Sequence, residues 1–151
     1  MNALAGYYAK RAPEYERIYQ KPERQADLSV LSEDAAATFV GRRVLEVASG
    51  TGWWTQFIAR TAHAVTATDI NDEVLAIART KPTSRDNVVF QRCDAFDLQA
   101  VEGGFDAALA AFWWSHLTRT ELRRFLDGLH QRLKPDTGWN RTSITHRGPT
   151  G

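Results

Sequence analysis

The sequence predicts an α/β protein: a doubly wound, mainly parallel sheet in three α/β/α layers, with its C-terminal strands largely missing. Three observations carry that prediction. Short apolar runs of strand length alternate with longer helical stretches between Val44 and Leu133, as expected of parallel strands joined by right-handed crossovers. The first run closes on small residues, Ala48-Ser49-Gly50-Thr51-Gly52, which a strand turning sharply into a helix requires. After Pro135 only the polar stretch DTGWNRTSITHRGPTG remains, with Trp139 and Ile144 as its apolar anchors. That is enough for one short strand at most.

The elements follow in order. Residues 1–22 are polar, and the spacing of Tyr8, Tyr15 and Tyr19 suits one helix face. Ser32, followed by Glu33 and Asp34 and closed by Gly41, predicts a short helix with an N-cap, an acidic first turn and a C-terminal glycine. Val44–Val47 is a strand buried on both faces. Trp53–Arg60 continues as a helix that buries Trp54, Phe57 and Ile58. Ala64–Thr68 is a second buried strand, ending at Asp69; Asn71 or Asp72 caps the next helix, through Arg79, with Val74, Leu75 and Ala78 on one face. Asn87–Gln91 is a third strand and Phe105–Ala111 a fourth, with one helical crossover between them left open. Thr118-Arg119-Thr120-Glu121 has the form of a capping box, and Leu122, Phe125, Leu126, Leu129 and Leu133 keep a helical period until Pro135.

Composition narrows the function classes. A chain of 151 residues, 43% hydrophobic and 25% charged, has room for one globular core. A formal net charge of +1 gives no global attraction to nucleic acid or anionic membranes. One cysteine, Cys93, allows no internal disulfide, and His63, His116, His130 and His146 are too scattered for a metal site. Neither a signal-peptide core nor a membrane-length apolar run is present. The expectation is a cytoplasmic protein that binds no nucleic acid, metal or membrane.

The chemistry concentrates on one rim. Gly50 and Gly52 let a ligand approach bare backbone, although a tight turn without a ligand would look the same. Asp69 ends the second strand, where a carboxylate can accept both hydroxyl hydrogens of a ribose or, equally, cap a helix. Asp94 ends the third strand. Ligands of open α/β sheets bind beyond the carboxyl ends of the strands, so the three positions point to one site.

VLEVASGTGWWT, TATDIN, CDAFDL and FDAALAAFWWSHL resemble, in order and spacing, the four characteristic segments of class I S-adenosylmethionine-dependent methyltransferases, and RLKP resembles the entry to that family's fifth strand. The resemblance covers residues 42–138 and implies a Rossmann-like fold whose complete form has seven strands. It implies that Glu46, Gly50 and Gly52 line the methionine end of S-adenosylmethionine, that Asp69 holds the ribose, and that Asp94 and Ala95 border the adenine, with Ala48, Trp53 and Ile70 also at the cofactor site. Tyr8 falls in an N-terminal segment, residues 1–40, that looks like the family's helical lid over the cofactor; residues 1–138 are then the methyltransferase domain and 139–151 a polar tail. The family usually has glycine where Ala48 stands, so binding is expected to be weakened or shifted rather than lost.

Phe112-Trp113-Trp114-Ser115-His116 follows the fourth strand, where the family's methyl acceptor faces the sulfonium. Trp113 can face the sulfonium by cation–π attraction and His116 can deprotonate an acceptor hydroxyl; packing and helix capping are the plainer readings of the same residues. No N-P-P-Y-like tetrapeptide follows that strand, which disfavours methylation of a base nitrogen, so the resemblance implies a small-molecule acceptor. Two alternatives stand beside it. One is a cofactor-binding module without turnover. The other is a nicotinamide-binding Rossmann protein, against which Thr55 stands where a third glycine would. If the tail supplies no fifth strand, Phe105–Ala111 becomes an exposed edge that invites self-association.

Overall fold

The computed structural model of the chain describes residues 20–83, 85–110, 117–135 and 142–143. A 3-10 turn at Pro22–Arg24 leads into α1 (Gln25–Thr38). There follow β1 (Arg43–Val47), α2 (Trp53–Ile58), β2 (Ala64–Asp69), α3 (Asp72–Thr80) and β3 (Val88–Arg92). A second 3-10 turn (Leu98–Ala100), β4 (Ala107–Ala110), α4 (Arg119–Arg132) and the two-residue β5 (Thr142–Ser143) complete the order.

The strands form one five-stranded parallel sheet in the order β3-β2-β1-β4-β5. Val44, Leu45 and Val47 on β1 are at most 1% exposed, as a central strand covered on both faces must be. Each such side chain stabilises the fold by roughly 1.5–3 kcal/mol. Two cores lie on the two faces. One packs Val44, Val65, Ala67 and Leu109 against Ala35 and Phe39, near α1, and Trp54 and Ile58 of α2. The other packs Leu45, Val47, Ala108 and Ala110 against Leu98, Val101 and α4, through Phe125 and Leu129. Because β1 pairs with β2 on one side and β4 on the other, the chain reverses its winding direction at β1, and the crevice for a ligand opens at the carboxyl ends there.

The structure corrects several readings of the sequence. The first helix begins at Gln25, not Ser32. Ser32 lies inside it and its hydroxyl donates to the Ser29 carbonyl at 2.8 Å. No side chain caps this helix; Leu28, Leu31, Ser32 and Ala35 share one face at helical spacing, and packing draws the helix out over two further turns. In α2 the buried positions are Trp54, Thr55 and Ile58, with Phe57 only half-buried. The open crossover between β3 and β4 is the Leu98–Ala100 turn. Nor is β4 an exposed edge along its length: β5 pairs with it at Ala108↔Thr142 and Leu109↔Ser143, satisfying backbone groups that would otherwise be bare. No described helix is long and apolar enough to cross a membrane.

The opposite rim of the sheet is tied together at Asp106. Its carboxylate accepts the Arg43 N–H at 2.9 Å and lies 3.2 Å from Lys134 Nζ, while the Lys134 N–H donates to the Phe105 carbonyl. This joins the start of β1, the approach to β4 and the end of α4.

Candidate functional site

The turn after β1 is built from left-handed residues. Ala48 has φ 54°, Gly50 57° and Gly52 81°. The Ser49 N–H donates to the Thr68 carbonyl at 2.9 Å, the Gly52 N–H to the Ser49 carbonyl at 3.1 Å, and Lys81 Nζ reaches the Thr51 carbonyl at 2.6 Å. The two glycines serve different ends. A Cβ on Gly50 would meet nothing within 4 Å, so this backbone faces open space. A Cβ on Gly52 would sit 3.0 Å from the Ala78 Cβ, so glycine is what lets α3 pack against the turn.

Asp69 joins the turn to β2. Its Oδ2 accepts the Gly50 N–H and its Oδ1 the Asn71 N–H, both at 3.0 Å. These N–H donors leave lone pairs for a ligand's hydroxyls. Burial raises the Asp69 carboxyl above its ordinary range, opposed by the N–H groups of Asn71, Gly50 and Ile70. Its second expected use, as the N-cap of α3, falls to Asn71, which occupies that position without a side-chain cap hydrogen bond. Ile70 is half-buried, and its carbonyl accepts from Arg92 Nε at 3.2 Å, fixing the loop from β3.

Glu46 lies beneath the turn, 2% exposed, with Ala67 beside it on β2 and Leu109 beside it on β4. Thr55, 1% exposed, donates its hydroxyl to Glu46 Oε2 at 2.5 Å, and Thr68 donates to the Glu46 carbonyl at 3.0 Å. Burial pushes the Glu46 carboxyl up from 4.5 to about 8; the Thr55 hydrogen bond opposes the rise and the Asp69 charge adds to it. Ser49 is 8% exposed and its buried hydroxyl has no hydrogen-bond partner among the described residues.

Farther along the rim, exposed Asp94 accepts the Phe96 N–H at 2.9 Å and half-buried Ala95 packs against the core. The Cys93 thiol is pushed up by burial and by Asp97 and Asp94, which makes it a packing group rather than a nucleophile. Trp53 opens α2 in edge contact with Trp54 and Phe57 at 4.7 and 4.8 Å. With Phe57, Gln25, Leu28, Ser29 and Ser32 it lines a cavity of about 140 Å³ between α1 and α2.

The fold thus gathers Glu46, Ala48, Gly50, Gly52, Trp53, Asp69 and Ile70 around one turn, with Asp94 and Ala95 at the end of the neighbouring strand. Tyr8, Trp113 and His116 lie outside the described residues. Sequence reasoning missed Thr55, Ser49, Lys81 and Arg92. The one available signal was Glu46 itself, since an acid inside a doubly buried strand needs a donor.

These residues fit a nucleoside-bearing cofactor: open backbone at Gly50, an acid with unused lone pairs at Asp69, and a second buried acid at Glu46. Comparison with known proteins agrees. The Methyltransferase domain family matches residues 44–136. A demethylmenaquinone methyltransferase of Clavibacter sepedonicus is 33% identical over 106 residues, 70% of this chain and 42% of that protein. Its counterpart in Tropheryma whipplei (strain Twist) is 35% identical over 95 residues, 63% of this chain and 38% of that protein. The chain therefore spans less than half the length of these relatives. Among solved structures, the complex of DhpI with S-adenosylhomocysteine superposes with a TM-score of 0.73 at 31% identity, over 87% of this chain and 62% of that one. The N-methyltransferase NodS of Bradyrhizobium japonicum WM9, at 18% identity and a TM-score of 0.66, shares the fold over 79% of this chain and 61% of its own. The chain belongs to the methyltransferase-domain family, with the class I fold that its members use to bind S-adenosylmethionine.

Proposed function

We propose that this chain binds S-adenosylmethionine across the Ala48–Gly52 turn and serves methyl transfer from its sulfonium to a small-molecule acceptor. The observation that carries the reading is the pairing of an open Gly50 with Asp69, whose carboxylate is fixed by two N–H groups and retains lone pairs for ribose hydroxyls. Glu46 and Trp53 then border the methionine end, and Asp94 and Ala95 the adenine. When bound, the cofactor supplies an electrophilic methyl group; the chain's residues hold and align it and exclude water. Trp113, just after β4 in sequence, is assigned to the sulfonium, His116 to an acceptor hydroxyl and Tyr8 to the lid. Residues 1–138 form the domain and 139–151 its tail.

An aromatic, uncharged acceptor is favoured. The matching relatives are named for demethylmenaquinone, and the cavity beside Trp53 has no charged lining residue. We place the protein in the cytoplasm, without nucleic-acid or membrane partners, and leave β5, only two residues long, as the route to self-association.

The test is thermal protection. S-adenosylhomocysteine at 100 times its dissociation constant should stabilise the protein by about 2.7 kcal/mol. Asp69→Ala should abolish most of that protection by removing the ribose acceptor. A protein protected by NADH and indifferent to S-adenosylhomocysteine would overturn the reading.

A further inference from the structure

We propose that Thr55 is a positioning residue for the cofactor: by holding Oε2 of Glu46 it sets the plane of the buried carboxyl and presents the other oxygen to the cationic methionine end. The inference rests on the cofactor reading above and adds a residue to it. It begins from the oddity of Glu46. An acid embedded among Val44, Leu45 and Val47, each at most 1% exposed, costs stability that an aliphatic side chain in the same strand would not. Among the described contacts, the Thr55 hydroxyl offsets part of that cost. The described ion pairs join Arg92 to Asp72 and Lys134 to Asp106, and neither reaches Glu46 or Asp69.

The groups facing Glu46 are few. Asp69 approaches from β2 as a like charge, Thr55 from α2 as a donor, and β4 contributes Leu109. Just past α3, Lys81 Nζ donates to the Thr51 carbonyl. Two carboxyls on adjacent strands, each raising the other's cost of ionisation, form a site that a ligand's cation favours. S-adenosylmethionine carries two positive groups, its sulfonium and its ammonium. S-adenosylhomocysteine keeps only the ammonium.

The direction of the linkage follows. Burial favours the protonated form of Glu46, while an incoming cation and the Thr55 hydroxyl both favour the carboxylate. Cofactor binding near neutral pH therefore releases a proton from Glu46, and affinity rises with pH as the carboxyl ionises. Without the Thr55 donor the carboxyl ionises at higher pH, so the rise shifts upward.

Isothermal titration with S-adenosylmethionine and S-adenosylhomocysteine, from pH 6 to 9 in buffers of differing ionisation enthalpy, reads these quantities directly. Thr55→Val should weaken S-adenosylmethionine binding at pH 7 about tenfold, because without the Thr55 donor less of Glu46 is ionised there. It should also move the pH midpoint upward and weaken S-adenosylhomocysteine less, while Thr55→Ser restores wild-type behaviour. The wild type carries the test even if Thr55→Val fails to fold, because its own affinity must rise with pH and its binding must release protons. A wild type that binds equally at every pH, or a Thr55→Val variant with an unmoved midpoint, would overturn the role of Thr55 and leave the cofactor reading standing. A wild type that binds neither ligand at any pH would overturn both.

Discussion

Ala48 carries a side chain at a left-handed position of the turn, and the structure shows what that costs. At φ 54° its Cβ crowds the following carbonyl, a conformation unfavourable by roughly 1–2 kcal/mol for a side-chain-bearing residue. Glycine relieves the strain but loses more chain entropy on folding, about 0.5–1 kcal/mol. Ala48→Gly should therefore raise stability by a net amount of about 0.5–1 kcal/mol, read as a higher urea midpoint at an unchanged slope. Ala48→Val should lower it, since a β-branched side chain tolerates this region less well. A midpoint that falls with glycine would show that the half-buried methyl packs better than its backbone strain costs. Thr55 belongs to the same scale and was invisible in sequence. A threonine in the first turn of a helix reads as a solvated or capping group until the neighbouring strand is known to bury an acid.

Elements with local signals were legible, and those set by packing were not. The capping box of α4 is present as read: Thr118 Oγ1 accepts the Glu121 N–H at 3.2 Å, and Glu121 Oε1 accepts the Thr118 N–H at 3.1 Å. Removing that hydroxyl by Thr118→Ala should cost about 1 kcal/mol, while Thr118→Ser should cost much less. Equal loss in both variants would mean that the methyl, not the cap, matters. The glycine turn and Asp69 were legible for a similar reason, because left-handed backbone and a strand-end carboxylate leave a mark in residue type. The start of α1 left none. Arg24 caps it without a side-chain bond, whereas Ser32, with two acids behind it, imitates a cap in the middle of the helix. The β5 pairing was legible only in outline, since the tail left room for one short strand beside β4 without marking which residues pair. Thr142 and Ser143 carry no strand pattern, and what recruits them is the unpaired backbone of β4.

For the whole molecule, the buried acid under the turn sets how stability varies with pH. A carboxyl that titrates near 4.5 when unfolded and about 8 when folded favours the native state fully below 4.5. That contribution is lost as pH rises toward 8, because in that interval the folded chain holds a proton that the unfolded chain has released. Asp69, also raised by burial, acts in the same sense. Asp106 acts in the opposite one: held low chiefly by the Arg43 N–H and aided by Lys134, it favours the fold above its ordinary range and ceases to do so in acid. The unliganded protein should therefore be most stable in mildly acidic solution and weaken steadily toward pH 9. Glu46→Gln keeps the shape and an acceptor for Thr55 but removes the charge, so it should flatten the alkaline side and exceed the wild type at pH 9 by on the order of 5 kcal/mol. Urea midpoints for both proteins at pH 5, 7 and 9 measure this. Wild-type and variant curves that run parallel across the interval would place the pH dependence elsewhere and show that Glu46 is already ionised in the folded chain.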